Sequence, residues 1–273
     1  EVVTGNFLRQ QLGYAWSGLY IADGVQMAQN PYCNMWEKTA VYSSIRYCNT
    51  FLEMVGNVYN MTDEEKVLWS AEIKALKAHY YFELLRHYGP FVIVAKNVAP
   101  NADISDMKKP RSPFDVCVEE IVSLLDEAMK DLPPMNQKEA SRRAYHSLES
   151  AATLKALTLF YAASPLFNGN SVYANFTNSK GEKLFNTTRD PEKWKRAAVA
   201  VDEALKICLE NGKSLISSTS GNYINMNLQD VMSDVSQSSL GLNFENQEAI
   251  FMFHYEILES ESWTRWTRPY FKS

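Results

Sequence analysis

The sequence predicts a mainly α fold, an α-α superhelix of stacked helical hairpins with long irregular loops and little β structure. Three observations carry this expectation. Five segments space apolar residues by three and four, and most of them open on helix-capping signals. The helix between Thr62 and Gly89 has two opposed apolar stripes, where a lone surface helix has one. The chain holds only 10 Pro and 11 Gly in 273 residues, too few for a disordered or low-complexity chain. No composition shift marks a boundary, so residues 1–273 are expected to form a single helical domain.

The first helix is expected within residues 35–59, where Trp36, Val41, Ile45, Cys48, Leu52 and Val55 keep helical spacing. The second opens at Thr62, and Glu65 completes a capping box in which each side chain meets a backbone N–H. The third opens at Ser112-Pro113, with Ser as N-cap and Asp115 in the first turn, and ends by Leu132 before Pro133-Pro134. The fourth covers about 148–163 and ends before Pro165. The fifth starts at Asp190-Pro191 and runs to Asn211-Gly212. Residues 167–189, rich in Asn, Gly, Ser and Thr, make a loop of unusual length for a compact domain. The apolar run 248–257 is either a strand or a short buried helix.

On a helical wheel, Ala71, Ala75, Ala78, Phe82 and Leu85 fall on one side of the second helix. Ile73, Leu76, Tyr80 and Leu84 fall nearly opposite. Glu72, His79, Glu83 and Arg86 line one seam between them, and Lys74 and Lys77 the other. Such a helix must be packed on two sides, as in an α-solenoid. The helix stops at Gly89-Pro90, and "FVIV" at 91–94 leaves it as a buried crossing.

Composition narrows the function classes. A net charge of −5 argues against nucleic acid as the main partner. Cys33, Cys48, Cys117 and Cys208 form no CxxC pair, so a zinc cluster is not expected and the thiols are read as free or buried. No apolar run approaches the ~20 residues that span a bilayer. The first residues resemble no signal peptide, which leaves either a cytosolic protein or a targeting segment upstream. No GxSxG, HExxH, GxxxxGK[ST] or GxGxxG pattern occurs. His79, Glu83 and His87 share a helix side, but the two His lie roughly 12 Å apart along the axis, too far to share one ion. They are read as a polar seam, with a metalloenzyme built on His79 and Glu83 as a rival.

Two aromatic clusters lie outside the helical stripes. Trp16, Tyr20 and Tyr32 stand near Asp23, Asn30 and Asn34; Tyr255, Trp263, Trp266 and Tyr270 alternate with Glu256, Arg265 and Arg268. Rings edged by Asp, Asn and Arg suit a carbohydrate, which stacks its C–H face and hydrogen-bonds its hydroxyls. A helical-repeat scaffold for protein partners is the alternative that the solenoid pattern alone supports.

Six motifs then follow in order. Trp36, Tyr42, Ile45 and Asn49 follow W-x5-Y-x2-I-x3-N. Glu72, Leu76, Ala78, Tyr81, Phe82, Tyr88 and Gly89 follow an E-x-x-x-L-R-A…Y-F…Y-G signature, with Lys77 in place of the usual Arg and Pro90 directly after Gly89. The stretches 111–133, 143–163 and 166–198, and Glu248-Ala-Ile-Phe251 after them, complete the series. In this order they resemble the SusD/RagB-like family of Bacteroidetes nutrient-binding outer-membrane lipoproteins. The resemblance implies a right-handed stack of TPR-like helical hairpins, no catalysis and no cofactor. It implies a lipid-anchored place on the cell surface, a SusC-like TonB-dependent transporter as partner, and an oligosaccharide ligand, or a peptide in the RagB branch. Family members are longer, so the resemblance also implies a partial chain, the N-terminal portion of a longer protein. By position it points to Asp23, Tyr32, Trp263 and Trp266 as ligand-binding residues.

Overall fold

The computed structural model describes residues 24, 25, 27–29, 31, 34–37, 40–99, 101–214 and 250. Five helices of several turns make up the body: α1 (Val41–Met54), α2 (Asp63–Tyr88), α3 (Phe114–Ala128), α4 (Leu148–Ala163) and α5 (Glu192–Glu210). Each packs on the next in sequence, and α2 also touches α4. This neighbour-on-neighbour order is the TPR-like solenoid expected from the sequence. Among the described residues the only β pairing is an isolated antiparallel bridge between Thr177 and Lys183.

Local chemistry sets most helix ends. The Thr62 hydroxyl accepts from the Glu65 N–H at 3.2 Å, and the Glu65 carboxylate accepts from the Thr62 N–H at 2.8 Å. Ser147 and Ser150 make a second such box at the start of α4. Gly89 ends α2 at φ 68°, where its N–H donates to the Leu85 carbonyl at 2.9 Å. Just before α5 the Asp190 carboxylate accepts from the N–H of Glu192, the helix's first residue, at 2.9 Å.

Two starts differ from expectation, and in both a distant partner takes the backbone donor. The first helix begins at Val41, not near 35. The Met35 N–H donates to the Tyr88 hydroxyl at 2.9 Å, and the Trp36 ring packs edge-on to Tyr42 and Tyr88 with centroids 5.4 and 5.3 Å away. Helix α3 begins at Phe114, because the Ser112 N–H goes to the Phe91 carbonyl at 2.9 Å and the Phe114 N–H to the Leu184 carbonyl at 2.8 Å. Its last expected residues, up to Leu132, form a turn.

The two-sided packing of α2 holds. Ala71, Ala75, Ala78, Phe82 and Leu85 are buried, and so is Leu84 opposite; Ile73, Leu76 and Tyr80 are half-buried. In the seam, Glu83 binds Arg86 at 2.7 Å and lies 3.6 and 3.9 Å from His87 and His79. Glu72 departs from that seam. It is buried and accepts from Lys138 Nζ at 2.7 Å and from Arg142, both in the α3–α4 connection.

The link after α2 is held by side chains in place of a sheet. Phe91 is fully buried. The Tyr42 hydroxyl bonds both the N–H and the carbonyl of Val92, at 3.0 and 3.3 Å, and the Tyr81 hydroxyl does the same for Val94, at 2.9 and 3.1 Å. The long loop between α4 and α5 is equally well tied. Asn168 and Asp190 close its neck with bonds of 2.7 and 2.8 Å. Gly169 has φ 84°, and a Cβ there would meet Arg189 Cβ at 2.8 Å, so the close approach requires glycine. Phe167, Leu184 and Phe185 drop from this loop into the core, where Phe114 stacks on Phe167 with centroids 4.3 Å apart. Cys48, Cys117 and Cys208 are buried and unpaired, and burial raises their pKa values, to about 11 for Cys48 and about 12 for Cys117. No described helix is long and apolar enough to cross a membrane.

Candidate functional site

Three irregular segments meet at one end of the helix stack: the turn before α1, the link between α2 and α3, and the long loop before α5. Asn178 of the loop donates to the Arg111 carbonyl at 3.0 Å, which fastens loop and link together. Arg111 then sits between two rings, its guanidinium 5.8 Å from the Trp36 centroid and 5.7 Å from the Phe176 centroid. Its one hydrogen bond among the described residues is a long one, 3.5 Å from Nη1 to the Pro90 carbonyl. Phe176 is 46% exposed, while Trp36 and Arg111 are half-buried. The notch therefore offers a partly exposed aromatic ring and several N–H donors in a fixed planar fork, the pair of features that stacks a sugar ring and bonds its oxygens. Behind it, Tyr42 is pushed up to about 12 by burial, so its hydroxyl keeps its proton and its hold on Val92.

Other polar clusters are closed on themselves. A groove of about 630 Å³ between α3, α4 and α5 has Val118, Leu159, Ala162 and Val199 in its lining. Its charges pair internally, Lys193 with Asp115, Arg196 with Glu119 and Lys195 with Glu192. Trp69 has Phe51 stacked on it at 6.4 Å and the Arg142 guanidinium 4.6 Å from its centroid, so the ring is tied to the residue that pairs with Glu72. His79 Nδ1 lies 3.3 Å from His146 Nε2, and burial lowers the pKa of both. Among the described residues no group of three His, Cys, Asp or Glu could hold a metal ion.

The residues singled out from sequence, Asp23, Tyr32, Trp263 and Trp266, lie outside the described residues, as does all of the run 248–257 except Ile250. Trp36, read as one position of a helical stripe, is instead a ring of the notch. Arg111 and Phe176 were missed. Their signal was present: "MKKPR" at 107–111 is a basic run at the end of a link, and Phe176 is an aromatic residue inside a polar loop.

A family described as "Starch-binding associating with outer membrane" (SusD-like) matches residues 2–161. Among solved structures, a protein named BT4246 is 32% identical, with TM-score 0.61 over 77% of this chain and 35% of its own. A SusD-like protein (BF3747) of Bacteroides fragilis NCTC 9343 is 20% identical, with TM-score 0.62 over 90% of this chain and 39% of its own. A SusD-like carbohydrate-binding protein (BF0978) of the same strain is 18% identical, with TM-score 0.53 over 74% of this chain and 32% of its own. The last two bear on the fold alone. No curated protein matches the chain. The chain thus spans 35% of the length of BT4246 and 39% of that of BF3747. The match covers more than half of the chain, agrees with the ordered helix motifs, and carries a description of binding and not of catalysis: the chain belongs to the SusD-like family.

Proposed function

We propose that this chain is part of a cell-surface glycan-binding protein, lipid-anchored at the outer membrane, that delivers oligosaccharides to a SusC-like TonB-dependent transporter. The observation that carries the reading is the family match over residues 2–161. The aromatic–guanidinium notch at the loop-lined end supports it, since the described part of the chain already holds chemistry suited to a sugar ring. Asp23, Tyr32, Trp263 and Trp266 complete the binding residues in this proposal.

Affinity electrophoresis through gels containing starch, laminarin, pectin or sulfated glycans tests the reading. The protein should be retarded by at least one of them. Phe176→Ala, Trp263→Ala or Trp266→Ala should each weaken binding by about 1–3 kcal/mol, the loss expected for one ring at the centre of a contact. A folded protein that no glycan retards, or one that binds only a peptide panel, would overturn it.

A further inference from the structure

The loop-lined end is basic in a chain whose net charge is −5. Segment 107–111 carries Lys108, Lys109 and Arg111 and no acid. Segment 176–183 carries Lys180 and Lys183 and one acid, Glu182, whose carboxylate accepts from Asn178 at 2.7 Å. The Asn178–Arg111 bond joins the two segments. Lys109 is two residues from Arg111, within about 7 Å along the chain. Lys183 bridges to Thr177, the residue after Phe176. Among the described residues none of these five cations makes an ion pair. In the helical body, by contrast, Lys74, Lys155, Lys193 and Arg196 each reach a carboxylate on another element.

The Asn178 side chain, which joins the two segments, has no capacity left for a sugar hydroxyl. A neutral sugar hydroxyl both donates and accepts, so a site for it offers donors and acceptors together. Here the Asn178 side-chain oxygen is already taken by the N–H groups of Lys180 and Glu182, and its amide by Arg111 and Glu182. The Arg111 guanidinium, by contrast, is flanked by rings and makes only the long bond to Pro90 among the described residues, a setting in which a bond to an anion is stronger than in water.

Resting on the glycan reading above, we propose that this end selects an anionic glycan. Arg111 binds a carboxylate or sulfate group of a pyranose, the ring packs on the exposed side of Phe176, and Lys108, Lys109, Lys180 and Lys183 attract the charged chain.

Calorimetric titration of the protein tests it with four probes: polygalacturonate oligosaccharides, the same oligosaccharides after carboxyl reduction, carrageenan oligosaccharides, which carry sulfate and no carboxylate, and polyglutamate. A uronate or a sulfated probe should bind about 10-fold or more tighter than the carboxyl-reduced sugar, with affinity falling as salt is raised. Arg111→Gln should cost about 10–100-fold for the charged probe, the worth of one charge-assisted contact, and cost the neutral probe much less. Binding of only the uronate or only the sulfated probe identifies the group and supports the proposal. Equal affinity for the reduced sugar, or polyglutamate bound as tightly as the charged glycans, overturns it. The first of these leaves the glycan reading standing, and silence of every sugar removes both. Should Arg111→Gln fail to fold, Lys108→Gln/Lys109→Gln/Lys180→Gln/Lys183→Gln changes only exposed side chains. Loss of the preference for charged probes in that variant supports the proposal, and an unchanged preference overturns it.

Discussion

His146 shows how one buried side chain couples this fold to pH. Its Nδ1 lies 3.0 Å from the Ser150 hydroxyl and its Nε2 3.3 Å from His79, while Lys138 donates to its backbone carbonyl at 2.8 Å. Burial first, then the His79 and Lys138 charges, hold its pKa down to about 3 from an ordinary 6.5. His79 moves the same way, burial outweighing the attraction of Glu83. Both rings are neutral in the fold and take up protons more readily when unfolded, so stability is full above pH 6.5 and falls as the pH drops from there toward about 3. Denaturant midpoints measured across that window should fall in the wild type and fall less in His146→Gln. Midpoints with the same pH slope in both proteins would rule His146 out as the source. At this scale the sequence was readable where partners are three or four residues apart, as in Thr62 with Glu65 or Glu83 with Arg86. It was unreadable where the partner is His146 for His79, because nothing local links the two.

Among the elements, α2 was the most legible and also held the clearest error. Its two apolar stripes foretold neighbours on both sides. Its polar seam foretold the Glu83 contacts but misplaced Glu72, which turns away to the α3–α4 connection. Lys138 is 1% exposed at the side chain and Glu72 8%, and burial lowers the Lys138 pKa even though Glu72 opposes the shift. A buried pair of this kind is costly to break, because the surviving charge has no water to turn to. Glu72→Gln should therefore cost about 3–5 kcal/mol in urea unfolding. Glu119→Gln, which removes the exposed partner of Arg196, should cost no more than about 1 kcal/mol. Similar losses from the two substitutions would show that burial does not set the value of the Glu72 pair.

Over the whole molecule, the helical body was legible and the loop-lined end was not, for one physical reason. Helices are specified by contacts a turn apart, whereas the loops are specified by bonds such as Phe114 to Leu184 and Met35 to Tyr88, which join residues far apart in sequence. The aromatic clusters could be named from sequence, but which rings would meet Arg111 could not. The tyrosine hydroxyls at Val92 and Val94 carry this furthest. In a deuterium-exchange experiment those two amides should behave as if they belonged to a sheet, exchanging slowly in a segment that has no neighbouring strand among the described residues. Tyr42→Phe should release Val92 alone and Tyr81→Phe Val94 alone, and uniform release along the link would argue against separate holds. One ring comes from α1 and the other from α2, so the path of the link records how those two helices are spaced. A change deep in the stack would reach the surface as a shift in the exchange rates of these two amides.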